Sequence, residues 1–203
     1  MLFQNLWLRE AIDTVARVSA AHHALHRAGI INCDLKPQNI LRRPNGEVRV
    51  IDLGVVRLIN ERAARAGCLP GTTPYFSPEQ LVGEFWDQRR DIHVLGCLLI
   101  EFIRGTHPFL VLGTQLETLR RIKEDETEPL RTTQVLRSFS ATEEGMLHSQ
   151  AMQLLRTLNP ILLKMTAHNP DNRFSGVDEY LCSLVKAREI ARQLDANRVY
   201  ARD

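Results

Sequence analysis

The chain has 203 residues, 44% apolar and 25% charged, which suits one soluble domain with a sizeable core. Its 26 Lys and Arg against 24 Asp and Glu leave a net charge of +2, which argues against a nucleic-acid or anionic-membrane surface, since those partners favour clustered basic excess. The longest apolar run near the middle, Val94 to Ile100, is too short to span a bilayer, and the N-terminus lacks the basic start and cleavage site of a secretory signal.

Leu8 to Arg27 carries apolar residues at Ile12, Val15, Val18, Ala21 and Leu25, a helical stripe that ends at Gly29. His22 and His26 share one face of that helix at i, i+4. With no third ligand and no H-E-x-x-H pattern, they read as a solvated face rather than a metal pair. Two short β-type segments follow, Asn39 to Arg42 and Glu47 to Ile51, joined as a hairpin by the Pro44-Asn45-Gly46 turn. Val55 to Pro70 has no clear periodicity and reads as a loop whose Arg57, Arg62 and Arg65 are solvated.

Asp91 to Arg104 is apolar almost all round, as expected of a helix at the centre of a domain, and Gly105 with Pro108 ends it. Thr114 to Glu124 reads as a shorter surface helix and Asp125 to Ser149 as a variable polar loop. Ala151 to Ala167 and Ser175 to Asn197 are the last two helices, the second charged enough to lie on the surface. Trp7 and Trp86 read as packing residues. The four cysteines, Cys33, Cys68, Cys97 and Cys182, form no C-x-x-C pair, so reduced thiols in a cytoplasm are expected. The fold class is therefore mainly α with a small β-hairpin at the edge of one domain over residues 1–203.

The stretch IINCDLKPQNIL, Ile30 to Leu41, sets Asp34, Lys36 and Asn39 on the approach to the first hairpin strand, and Asp52 follows the second. A hairpin brings those two places side by side. Two carboxylates and an amide oxygen are hard ligands suited to Mg²⁺, and a mobile ammonium can meet a transferring phosphoryl group. Any one of these residues alone reads as a surface or capping group. Together they supply the parts that phosphoryl transfer needs: an acid to orient a hydroxyl, a metal clamp and a cation.

Five ordered motifs resemble the C-terminal lobe of the eukaryotic-type serine/threonine protein kinase family. NCDLKPQN is similar to the catalytic loop H-R-D-L-x-x-x-N, and Asp52-Leu53-Gly54 to D-F-G. Gly71 to Glu79 resembles the segment ending in A-P-E, Asp91 to Phe109 the buried central helix, and Asn169 to Phe174 the motif whose arginine pairs with the A-P-E glutamate. The resemblance implies ATP and Mg²⁺ as cofactors and a protein substrate, with no nucleic acid or membrane. It implies Asp34 as the base that accepts the substrate hydroxyl proton and Lys36 as the γ-phosphate ligand. Asn39 and Asp52 would hold the metal, and Leu41 would lie beneath the adenine. Asp91 would brace the catalytic loop and Arg173 would pair with Glu79. Lys36 with Thr72 resembles the serine/threonine-directed branch. Lys36 and Gly71 to Glu79 also set the chain apart from small-molecule kinases, which share only the Asp…Asn…Asp arrangement.

The departures from that pattern are specific. No G-x-G-x-x-G occurs in the chain, and the 33 residues before Asp34 read as one helix with a lead-in. The expectation is a C-terminal lobe without its N-terminal lobe and with weak activity alone. Two explanations fit: a piece of a longer kinase served by an upstream or separate N-lobe, or a short non-catalytic pseudokinase or scaffold. Leu53 replaces the D-F-G phenylalanine and is expected to fill the same apolar slot. Asn32 and Cys33 stand where histidine and arginine are usual. That arginine ordinarily meets a phosphate on the activation loop, yet Val55 to Pro70 contains no Ser, Thr or Tyr. Receiver and phosphate are absent together, so control without activation-loop phosphorylation is expected, unless the pattern reflects drift.

Overall fold

A computed structural model describes residues 8–59, 71–83, 87–124, 127–136 and 141–200, with the side chains of 141–146 and 197–200 excepted. Trp7, Arg62, Arg65, Cys68 and Trp86 lie outside these residues. In chain order the elements are α1 (Leu8–Arg27), β1 (Ile30–Asn32), β2 (Ile40–Arg42), β3 (Val48–Val50), β4 (Val56–Leu58), α2 (Pro78–Val82), α3 (Arg89–Arg104), α4 (Gln115–Glu124), α5 (Thr132–Val135), α6 (Ala141–Met165) and α7 (Asp178–Tyr200). Among the described residues no helix is long and apolar enough to cross a membrane.

Helix α3 is the axis of the core. Ile92, Leu95, Leu98, Leu99 and Ile100 are all buried, as a helix that is apolar on every side requires. It packs against α1 on one side and α6 on another. The approach to α6 is close because residue 96 is glycine: a Cβ there would lie 2.6 Å from Thr166 Cγ2 and 2.9 Å from Met165 Cβ.

Helices α1 and α7 lie against each other. Asp195 of α7 accepts the Arg9 backbone N–H at 2.8 Å and the Leu8 N–H at 3.3 Å, placing a carboxylate where the helix N-terminus exposes unpaired donors. Helix α7 is charged, as the sequence indicates, but one face of it is core: Tyr180, Leu184, Ala187, Ala191 and Leu194 are buried.

The hairpin forms as expected, with Ile40 opposite Val50 and Arg42 opposite Val48. Arg42 anchors it from beneath: its guanidinium reaches Asp13 of α1 at 3.4 Å, and Asp13 also accepts from Arg17 at 2.9 Å and Arg188 at 2.8 Å. Three basic side chains from α1, β2 and α7 thus meet on one largely buried carboxylate, which holds the hairpin at a fixed place on the helical body.

Several expectations are corrected. Val55 to Pro70 is not wholly a loop, because Val56–Leu58 pairs antiparallel with Ile30–Asn32, and Arg57 on that strand is half-buried. The polar stretch Asp125 to Ser149 contains α5 and the first turns of α6. Asn159 of α6 holds the segment before α5 by exchanging two hydrogen bonds with the Leu130 backbone, at 2.9 and 3.0 Å.

His22 and His26 are not a solvated face. His22 is fully buried while Ala21 is exposed, and His26 bonds Asp91 at 2.9 Å. The face they occupy turns toward β1 and the start of α3, where buried polar groups supply partners.

Gly96→Val should destabilise the fold by about 1–3 kcal/mol, the usual range for overpacking a core. Urea unfolding measures it, and a loss below about 0.5 kcal/mol would show that α3 and α6 are not held this closely.

Candidate active site

The segment from Asn32 to Asn39 crosses from β1 to β2 beside the first turn of α3. Asp91 is fully buried there, and its Oδ2 accepts the Asn32 backbone N–H at 2.9 Å and is bonded by His26 at the same distance. Burial works to raise the Asp91 pKa, and His26 and Arg90 outweigh it, so the carboxyl lies below the usual range. Asp91 therefore fastens the residues just before Asp34 by charge-assisted bonds.

Asp34 is held on both carboxylate oxygens. Lys36 Nζ donates to Oδ2 at 2.6 Å and Thr72 Oγ1 donates to Oδ1 at 2.7 Å. Lys36 Nζ also donates to Thr72 Oγ1 at 2.9 Å, closing a triangle. Asn39 Nδ2 donates to the Asp34 carbonyl at 2.9 Å. Burial acts to raise the Asp34 pKa, but the bonds from Lys36, Thr72 and Asn39 prevail and hold it below the ordinary aspartate value. Asp34 is thus a persistent anion beside the Lys36 side chain.

Thr72 reaches this triangle because of the residue before it. Gly71 has φ +117, and a Cβ there would stand 2.4 Å from the Cys33 carbonyl oxygen; only glycine allows the two backbones so close. Behind it, Ser77 and Gln80 form a capping box at the start of α2, with the Ser77 N–H donating to Gln80 Oε1 at 2.9 Å. Glu79 pairs in two places with Arg173, at 2.8 and 2.9 Å, and both are buried. Arg173 also bonds the Ala167, His168 and Arg89 carbonyls. The segment that carries Thr72 is therefore anchored to the helical body by a buried, fully engaged guanidinium.

Asp52 takes a different place from the other expected site residues. The Ile51 N–H donates to the Asn39 carbonyl at 2.8 Å, which sets Asp52 next to that residue along the backbone. The Asp52 side chain is exposed and its Oδ1 accepts the Gly54 N–H at 3.2 Å, so it does not join the triangle. Its φ of +59 makes it the one non-glycine residue with positive φ among the described residues. Leu41 lies on the open side of β2, 47% exposed, while Ile40 and Arg42 point the other way. Leu53 is 44% exposed; no slot for it is formed by the described residues, contrary to expectation.

The donor set fits Mg²⁺. Asn39 turns its Nδ2 to the Asp34 carbonyl, which leaves its amide oxygen for a ligand, and Asp52 offers a carboxylate open to solvent. These are the hard oxygen donors that the ion prefers.

Arg90 is the residue that sequence reasoning missed. It is fully buried, and its guanidinium donates to the Asn32 carbonyl at 2.5 Å and the Cys33 carbonyl at 2.9 Å. The dipeptide Arg89-Arg90 at a helix start looks like ordinary surface charge. The one hint in the sequence was its place immediately before Asp91.

The family profile described as Protein kinase domain matches residues 4–186. Serine/threonine-protein kinase PknB of Mycolicibacterium smegmatis is 32% identical over 184 residues, 89% of this chain and 27% of the relative. Serine/threonine-protein kinase PknB of Mycobacterium leprae is 31% identical over 180 residues, 88% of this chain and 26% of the relative. The chain spans about a quarter of the length of these curated relatives.

Because the folded-state pKa of Asp34 is lowered, its ionised form stabilises the fold fully above the ordinary value of about 3.9, and that contribution is lost as pH falls through the lowered value. Thr72→Val should move the Asp34 pKa upward, read by carboxyl ¹³C NMR titration; an unmoved value would show that the hydroxyl does not hold the anion. On its motifs, its fold and these matches, the chain belongs to the protein kinase domain family.

Proposed function

We propose that the site transfers the γ-phosphoryl group of ATP to the hydroxyl of a protein serine or threonine. The observation that carries this reading is the triangle of Asp34, Lys36 and Thr72. It sets an anion and a cation side by side at the end of the segment that a peptide substrate would meet.

The chemistry follows from the charges. Asp34 orients the incoming hydroxyl and receives its proton late, because a carboxylate with a lowered pKa is a weak base at neutral pH. Orientation is the larger contribution in a loose phosphoryl-transfer transition state. Lys36 lies within hydrogen-bond reach of Asp34 and supplies positive charge for the oxygens that gain negative charge. Asn39 and Asp52 would hold Mg²⁺, which when bound neutralises phosphate charge. Thr72 and Lys36 keep the Asp34 carboxylate from rotating away before a substrate arrives.

An N-terminal lobe, supplied by further chain or by another chain, completes this reading. Five apolar side chains on or beside the strands are exposed: Leu41, Ile51, Leu53, Val56 and Leu58. They suit a covering lobe that would form the roof of the nucleotide site. The same exposed residues favour a second reading, a non-catalytic scaffold that binds a partner protein there.

Two experiments separate these readings. With an N-terminal lobe present, Asp34→Asn should lower kcat by about 10²- to 10⁴-fold with little change in KM for ATP. Unchanged kcat would overturn the kinase reading. The 203-residue chain alone, given Mg-ATP and a protein substrate, should turn over far below ordinary kinase rates, since each lost preorganised donor costs about 3 kcal/mol. Full turnover would show that the lobe is not needed.

A further inference from the structure

We propose that Arg90 is a built-in brace for the catalytic loop, a positioning residue that orders the backbone leading into Asp34 without a phosphate on the chain. The functional consequence rests on the catalytic reading of Asp34; the brace itself does not.

The argument starts from a complete account of the backbone. Asn32 N–H donates to Asp91 Oδ2 at 2.9 Å, and Asn32 O accepts from Arg90 Nη1 at 2.5 Å. Cys33 N–H donates to the Val55 carbonyl at 2.8 Å, and Cys33 O accepts from Arg90 Nη2 at 2.9 Å. Asp34 N–H donates to Asn32 Oδ1 at 3.2 Å, and Asp34 O accepts from Asn39 at 2.9 Å. Every backbone polar group from Asn32 to Asp34 therefore has a partner within the chain. One planar guanidinium holds two consecutive carbonyls, which fixes the orientation of both peptide planes leading into Asp34. A lysine, with its donors on a single nitrogen, lacks that fork.

The charge is also neutralised on the spot. Arg90 Nη1 bonds Asp91 Oδ1 at 2.8 Å, and both side chains are sealed from solvent. The brace is therefore independent of any charge added later.

Position 33 cannot supply such a brace itself. Its side chain is a thiol buried in a small apolar cluster with Ile31, against Val55 and Ile59. The guanidinium that holds this stretch comes instead from α3. Among the described residues Arg90 Nε is buried without a partner, so the guanidinium is held through its two terminal nitrogens. The hydroxyls nearest the loop are already engaged: Thr72 by Asp34 and Lys36, Thr73 by Gln115 at 2.6 Å.

The test is amide hydrogen exchange on the 203-residue chain, with absence of phosphate verified by mass. The unphosphorylated chain should already protect the amides of Asn32, Cys33 and Asp34. Arg90→Met should speed exchange at these amides at least tenfold relative to Leu154 and Leu158 of α6. Arg90→Lys, which keeps the charge beside Asp91 and folds more readily, should give an intermediate, equally local increase.

Three results would overturn the proposal: wild-type protection at 32–34 in both variants, equal acceleration at 32–34 and in α6, or protection that appears only once Thr73 is phosphorylated. None of these readouts requires catalysis. Failure of the brace is therefore distinct from failure of the kinase reading, which the Asp34→Asn kinetics decide.

Discussion

A carboxylate sealed from solvent costs several kcal/mol unless its oxygens are filled. Asp91 is sealed in this way, and its oxygens are filled by three different parts of the chain: the Asn32 amide, the His26 ring of α1 and the Arg90 guanidinium. Removing Arg90 would leave that charge unpaired in the interior, and removing either of the others would take a hydrogen bond from it. The first turn of α3, the end of α1 and the start of the 32–39 segment are therefore obliged to stay together. The position of Asp34 is a consequence of that obligation.

The second anchor works on the other side of the site by the same physics. Arg173 is buried against Glu79 and three carbonyls, so the segment that delivers Thr72 is fastened to the region between α6 and α7. Asp34 and Thr72 thus meet because two buried ion pairs, far apart in sequence, each fix one of them. On the polar side of the site, Asp34, Lys36 and Thr72 are bonded to one another. The apolar side, at Leu41, Ile51 and Leu53, is left open. That division is what the proposed phosphoryl-transfer reading asks for: preset charges on one side and an apolar face to be covered on the other.

Much of this could be read in the sequence, and the exceptions share a cause. Helices α1, α3 and α4 follow from local periodicity, and the hairpin follows from its turn. The β1–β4 pair does not: its strands are three residues each, and Ile30 meets Leu58 across a long interval with no turn between them to announce it. The early turns of α6 are polar, and periodicity has little to detect there. His22 and Arg90 were misjudged or missed because residue type suggests solvent for both. Their burial depends on partners elsewhere in the chain: Val18 O for His22, at 2.9 Å, and the carbonyls of Asn32 and Cys33 for Arg90. Pairings such as Arg173 with Glu79 were legible because ordered motifs, rather than periodicity, carried them.

Asp52 is constrained by its backbone as well as by its side chain. At φ +59 it sits where most L-residues cost about 1–2 kcal/mol, and aspartate tolerates the region because its short side chain can bond nearby backbone, here the Gly54 N–H. Glycine would relax the main chain and lose the carboxylate. Asparagine would keep the shape and lose the charge; glutamate would keep the charge and lose the short local bond. The backbone alone therefore favours a short side chain at position 52, and the proposed metal role would narrow the choice further to the one that also carries a charge.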